Sequence, residues 1–275
     1  MIRLSVALVT RNRPESLART LRSLREQDVQ PFEVVVSDDS DEGLAFKTAQ
    51  VATEFGCRYL RGPRKGLYYN RNFIAENCVG SHVRTMDDDH LFPPGHFRSC
   101  LEAIEKEPEL IWTTGEVGFV DGRLFGATPV AFQLHPAGVA CIPDNFECNW
   151  AIADGSTMYP RFVFQRGYRF VEEFGYGSSY LEFGAFLFSR GHFCRCLVGT
   201  VVEHFGGKET ISRDSLNVQV GRMFASLAFN LYFRPSKLRG LRYLIPLILR
   251  SPSSGKLLRK LPSLLQTVKR RWKGE

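Results

Sequence analysis

The sequence predicts an α/β fold, a mostly parallel sheet flanked by helices, followed by a basic helical C-terminal tail. Three observations predict it. Strand-like and helix-like stretches alternate through the first ninety residues, three of the strand-like stretches end in Thr or Asp, and the positive charge is concentrated after Asn230. Alternation of this kind builds a parallel sheet through βαβ crossovers.

The elements follow in order. "LSVALVT", residues 4–10, is a continuous apolar run of the sort buried on both faces of a sheet. "PESLARTLRSLREQ" then places Leu17, Leu21 and Leu24 on one helical face. "FEVVVSDDS" is a second strand that breaks off in acids, and "LAFKTAQVATEFG" a helix closing on Gly56. "CRYLRG" reads as a short strand, "YYNRNFIAENCVG" as a helix closing on Gly80, and "SHVRTM" as the strand that delivers Asp87, Asp88 and Asp89. Thr10, Asp38 and Asp39, and the acidic triplet thus share the carboxyl edge of one sheet, where open α/β folds bind ligands.

Three adjacent carboxylates repel one another, so the triplet calls for a cation; taken alone, a solvated acidic turn is the alternative. Carboxylates spaced DxD at a strand end hold a hard divalent ion through oxygen and leave positions for a substrate's phosphates. Upstream, "RGPRKGLYYNRN" offers Arg61, Arg64, Lys65 and Arg71 as a phosphate cradle.

With these residues in place, "VALVTRNRPESLARTLRSLREQ", "FEVVVSDDS", "KGLYYNRN" and "VRTMDDDHLFPP" resemble family 2 glycosyltransferases of the GT-A fold across residues 1 to 100. Across residues 150 to 205, "DGSTMYPR" and "YLEFGAFLFSRG" are similar to that family's acceptor-side strand and base-bearing segment. The resemblance implies an inverting transfer from a nucleotide-diphosphate sugar; the expected acceptor, which the basic tail suits, is a glycan or lipid-linked molecule in cell-envelope polysaccharide or glycoconjugate synthesis. It places Thr10 and Arg11 against the nucleoside, Asp39 on the base and Asp38 close by. Arg11 stands where the family often has an aromatic residue; a UDP-sugar is favoured, with dTDP- and GDP-sugars open. Lys65 and Arg71 would accompany the diphosphate. Asp87 would face the ribose or sugar and join Asp89 and His204 on Mg²⁺ or Mn²⁺, with Asp88 the spare carboxylate of the donor site. For His204, a satisfied histidine at a strand end is the alternative.

The family's Glu-Asp pair is missing, and "GSS" at Gly177 to Ser179 stands in its place. One general base suffices for inversion. Glu182 is the expected base, with Glu172 and Glu173 as competitors.

No GxGxxG follows the first strand, and GxxxxGK[ST], GxSxG and HExxH are absent, which argues against dinucleotide, P-loop, α/β-hydrolase and zincin chemistry. A sugar-phosphate nucleotidyltransferase is the alternative enzyme; "VTRNRPES" lacks the glycines its triphosphate would need. Outside catalysis, the chain could be an inactive sugar-nucleotide binder or a membrane-binding module. The tail lacks the interleaved aromatics of a base-stacking surface, so no nucleic acid is expected.

The expected organisation is a transferase domain over residues 1–230 and a basic amphipathic tail over 231–275. Of the chain's net +7, the tail holds 12 basic residues against one acid, a balance of +11, which leaves −4 for the rest. Within it, Leu257, Leu258, Leu261, Leu264, Leu265, Val268 and Trp272 recur at helical spacing, with Pro262 a kink or first-turn residue. Such a helix suits an anionic membrane surface; a helix packed on the main domain is the alternative. The seven scattered cysteines read as reduced core thiols, and the first apolar run is too short for a signal peptide. The expected location is therefore the cytoplasm, peripheral to the inner membrane face.

Overall fold

A computed structural model describes residues 2–174, 178–206, 215–251 and 253–274. The chain divides into two compact units. The described parts of 1–131, 153–170 and 194–209 form the first, and those of 132–152, 171–193 and 210–275 the second.

The first unit is a mixed sheet with helices packed against it. In chain order it holds β1 (Leu4–Thr10), α1 (Pro14–Arg25), β2 (Glu33–Asp38), α2 (Glu42–Glu54), β3 (Arg58–Arg61), α3 (Leu67–Asn77), β4 (His82–Asp87), β5 (His90–Leu91), α4 (His96–Lys106), β6 (Ile111–Val120) and β7 (Arg123–Thr128). In the second unit, β8 (Gln133–Leu134) and β9 (Ala140–Cys141) pair as a small antiparallel ribbon. Then come β10 (Thr157–Pro160) and α5 (Phe162–Gln165) of the first unit, α6 (Ser179–Ser189) of the second, and β11 (Cys194–Gly206) of the first. The second unit closes with α7 (Leu216–Ala228), a π-helical turn at Phe229–Phe233, α8 (Lys237–Arg250) and α9 (Ser254–Lys273).

The sheet order is β3-β2-β1-β4-β10-β6-β11-β5, with β7 hydrogen-bonded to β6. β1 lies between β2 and β4, parallel to both, and all seven of its residues are buried. Helices cover both faces of such a strand, which is why its sequence does not alternate. Leu17, Leu21 and Leu24 of α1 close over Leu4, Val6, Leu8 and Met86, and Pro14 presets the first turn. Each of these side chains contributes on the order of 1.5–3 kcal/mol by leaving water. The register sets Thr10 beside Asp38 and Val9 beside Asp87, so the acids stand side by side at one edge.

β11 runs parallel to β6, with a shift between Leu197 and Val201, and its far end pairs antiparallel with β5, bringing His204 opposite His90. One boundary differs from expectation. α3 stops at Asn77, with Cys78 extended, because the Asn77 side-chain amide donates to the Phe73 carbonyl and the chain must turn into β4 before Gly80.

In the second unit, Trp150 packs against Phe188 and Phe233, and the absence of a Cβ at Gly184 lets α6 approach the Trp150 carbonyl. The tail expected as a separate segment belongs to this unit. Leu257, Leu264, Val268 and Trp272 of α9 are buried, and α9 packs on α7, so the apolar stripe read from the sequence covers protein. Leu258 and Leu265 remain exposed. Helix α9 runs through Pro262, which sits on the exposed side where water meets the carbonyl it leaves unbonded. Among the described residues no helix is long and apolar enough to cross a membrane.

Candidate active site

The three acids at the end of β4 and just beyond it face different surroundings, with Arg13 shared by Asp88 and Asp89. Asp88, expected as a spare donor-site carboxylate, is fully buried and turned back under the sheet edge. Its side chain accepts from the Thr10 hydroxyl at 2.5 Å, and its carbonyl accepts from Ser16 at 2.8 Å and Thr20 at 2.7 Å. The Arg13 guanidinium lies 2.5 Å from Asp88 and 3.1 Å from Asp89. Burial pushes the Asp88 carboxyl up to about 7 against the pull of Arg13 and Thr10. Asp88 thus ties the turn to β1 and α1.

Asp87 is held at 2.6 Å by Arg71, whose other terminal nitrogen binds Asp154. Arg71 is fully buried, so it anchors two carboxylates where a phosphate cradle was expected. Burial opposes ionisation of Asp87, yet Arg71 outweighs it and the carboxyl falls below its usual range; at Asp154 burial wins and the carboxyl rises.

Asp89 meets the two imidazoles. Asp89 Oδ1 is buried without a hydrogen-bond donor, 3.4 Å from His90 Nδ1 and 3.6 Å from His204 Nε2. The His90 and His204 rings stack with centroids 4.6 Å apart. Asp89, His90 and His204 each bring a ligand atom within 4.8 Å of the others. An undonated buried carboxylate oxygen flanked by imidazoles beyond good hydrogen-bond distance fits three ligands converging on one cation. Asp87, expected among the ligands, is directed to Arg71, and His90 stands with Asp89 and His204.

The neighbours of this cluster orient it. His204 Nδ1 donates to Glu116 at 3.0 Å, the carboxylate–histidine arrangement that fixes a metal-ligating ring. Burial disfavours the imidazolium, but Glu116, Asp89 and Asp87 outweigh it and raise His204 to about 9. Burial lowers His90, with His204 adding to the effect. Gly155, at φ +85°, lies against His90 Nε2 where any side chain would collide. The buried Arg84 holds that turn, donating to the Gly155 carbonyl at 3.0 and 2.7 Å and to His96 Nε2 at 2.7 Å.

On the other side of β1, Asp38 is fully enclosed, accepting from the Ser40 amide at 2.8 Å and the Tyr59 hydroxyl at 2.9 Å. Asp39 accepts from the Arg64 amide at 2.9 Å, and burial raises its carboxyl. Arg61 and Arg64 brace this loop through Asp38, Ser40 and Glu42. Arg11 is 66% exposed, 3.8 Å from Asp41, with its guanidinium plane accessible. Lys65 is exposed, its ammonium 6.0 Å above the Tyr69 ring.

Glu182, expected as the base, is fully buried in α6 of the second unit, 3.4 Å from Arg271 of α9. Burial raises its carboxyl, while Arg271 and Trp272 favour the charged form. Ser179 opens α6; Gly177 of "GSS" lies outside the described residues. Glu172 is half-buried, and Glu173 is exposed and paired with Arg270.

The structure therefore gathers Thr10, Asp38, Asp39, Arg71, Asp87, Asp88, Asp89 and His204 in the first unit, at and around the sheet's carboxyl edge. Sequence reasoning missed His90, Glu116, Arg13 and Asp154. His90 carried a signal, a histidine directly after the triplet; Glu116 and Arg13 carried none without the strand register.

The sequence profile of the family described as "Glycosyl transferase family 2" matches residues 5–166. An uncharacterized glycosyltransferase, YwdF, of Bacillus subtilis is 27% identical over 163 residues, 59% of this chain and 59% of that protein. An uncharacterized glycosyltransferase of Haemophilus influenzae is 27% identical over 108 residues, 39% of this chain and 36% of its own length. The chain thus spans less than two thirds of these relatives. Among solved structures, GalNAc-T7 with UDP, GalNAc and Mn²⁺ superposes with a TM-score of 0.72 at 14% identity, covering 98% of this chain and 55% of that one. S. aureus TarS in complex with UDP gives 0.63 at 16% identity, covering 98% and 81%. At these identities the likeness is one of fold, the GT-A fold.

Proposed function

Because the chain belongs to glycosyl transferase family 2, we propose that it moves a sugar from a nucleotide-diphosphate sugar to a glycan or lipid-linked acceptor, with inversion, in cell-envelope polysaccharide or glycoconjugate synthesis. The observation that carries the proposal is the undonated Asp89 oxygen between two imidazoles at the edge that also holds Thr10, Asp38 and Asp39. The UDP in both structural neighbours supports a UDP-sugar as donor.

In this reading the nucleoside lies against Thr10 and Arg11, with Asp39 accepting from the base. Arg11 offers a plane for stacking. Asp89, His90 and His204 would hold a divalent cation, which would neutralise charge on the departing diphosphate. Mg²⁺ prefers oxygen ligands and water, so a set with two imidazoles favours Mn²⁺; the Mn²⁺ in the GalNAc-T7 structure agrees. Arg71 fixes Asp87 toward the sugar, and the exposed Lys65 supplies a cation for the phosphates. Glu182 enters as the base under one condition: a carboxylate enclosed with Arg271 takes a proton from an acceptor only after that pair opens.

The test is a panel of sugar nucleotides assayed for hydrolysis and for thermal shift, with Mn²⁺, with Mg²⁺ and with chelator. One nucleotide class should stabilise the protein in a cation-dependent way, and Asp89→Ala should abolish that shift while the protein stays folded. Undiminished cation-dependent turnover in Asp89→Ala would sink the assignment.

A further inference from the structure

We propose that α8 docks the protein on an anionic lipid surface, lying in the plane of the interface with Leu238, Leu241, Ile245 and Leu249 among the acyl chains. The proposal is independent of the donor-site reading and concerns a different helix from the apolar stripe of α9, which is covered by α7.

Helix α8 has two apolar faces. Its inner face is narrow: only Gly240 and Leu247 are buried, and at Gly240 a side chain would crowd Asn230, which is itself bonded to the Pro136 carbonyl at 2.7 Å and to Arg239 at 2.8 Å. That face is fixed. On the outer face Leu238 is 83% exposed, Leu241 55%, Ile245 50% and Leu249 75%. At 3.6 residues per turn these four fall within an arc of about 80°, roughly opposite Gly240 and Leu247. Four large aliphatic side chains aligned in water on one short helix mark an interaction surface.

The charge around the stripe selects the occupant. Exposed Lys237, Arg242 and Arg250 flank it on α8, and Lys256, Arg259 and Lys260 surround the exposed Leu258 on α9. The whole segment 231–274 contains 12 basic residues and no acid. An apolar stripe bordered by cations on both sides is matched by acyl chains beneath a layer of anionic headgroups, where burial and electrostatic attraction act together. No described helix is long and apolar enough to span a bilayer, so α8 would lie along the surface.

The test is sedimentation of the full chain with sucrose-loaded vesicles, either phosphatidylcholine alone or phosphatidylcholine with about one third phosphatidylglycerol. The expected result is pelleting with the anionic vesicles at low ionic strength, release at high salt and little binding to neutral vesicles. The exposed-site variant L241S/I245S should keep its melting temperature and lose at least tenfold in vesicle partitioning. K237E/R242E should lose the preference for anionic vesicles. Failure of the intact chain to pellet at low salt overturns the proposal, as does undiminished pelleting of L241S/I245S. A dimer in light scattering that L241S/I245S dissolves, without any vesicle binding by the intact chain, would overturn it in favour of a second copy on this face.

Discussion

His90 and His204 stack face to face because β5 and β11 pair with those two residues in register, and Asp89 lies against both rings. His204 carries a proton up to about pH 9 when no cation is bound. In the proposed site a cation would have to displace that proton. The apparent Kd for Mn²⁺, measured by calorimetry, is therefore expected to fall by up to about tenfold per pH unit between roughly pH 6.5 and 8.5, with a proton released on binding. The stability of the cation-free protein runs the other way. A histidine whose folded value is raised stabilises most below its unfolded value near 6.5, and that contribution is lost as pH rises through about 9. A pH-independent Kd would remove His204 from the ligand set.

Arg71 bridges Asp87 and Asp154, and it is fully buried. Arg71→Met leaves the two carboxylates without the guanidinium that bridges them. Breaking a buried pair from one side costs about 3–5 kcal/mol. Urea unfolding should show a loss of that order, and acid should partly restore stability by protonating one carboxylate. A variant as stable as the parent at neutral pH would show that water reaches the pair.

Gly155 has φ +85° and no room for a side chain beside His90. Gly155→Ala should displace the His90 ring and weaken Mn²⁺ binding by about 10- to 100-fold, the range for disturbing the support of a metal ligand. Binding unchanged in a folded Gly155→Ala protein would mean that His90 is not a ligand.

Glu182→Gln separates two roles. The buried pair with Arg271 joins α6 to α9, so the melting temperature should fall as Arg271 loses its counter-charge. For a base, transfer per folded molecule should fall as well, by about 10²- to 10⁴-fold. A lower melting temperature with unchanged transfer per folded molecule would confine Glu182 to packing and leave Glu172 and Glu173 as the competitors.

The strands and their acidic ends were legible because both signals are local: an apolar run gives the strand, and the residue that follows gives the edge. What Asp87, Asp88 and Asp89 each do was not. Consecutive residues at a turn diverge, and their partners come from α3, from Arg13 immediately before α1 and from β11, which only the folded register assembles. The tail shows the same limit. Period identified the apolar stripe of α9, but a period of 3.6 is silent on whether protein or lipid covers it, and here the covered stripe and the bare one occupy different helices.

The register shift in β11 has a consequence of its own. Leu197 pairs with Thr114 and Val201 with Gly115, so three residues, Val198 to Thr200, swell out of the strand around Gly199 at φ +87°. Side chains on a strand alternate faces, so the pairing that resumes beyond the swelling, with His204 opposite Gly118, decides on which side of the sheet the imidazole emerges. If a one-residue deletion there drew the rest of β11 back by one place, His204 would pair with Val117 instead of Gly118 and its imidazole would emerge on the opposite face with every chemical group still present. The swelling is thus a place where a change of length threatens the proposed cation cluster more than a change of side chain at Val198 or Thr200 does.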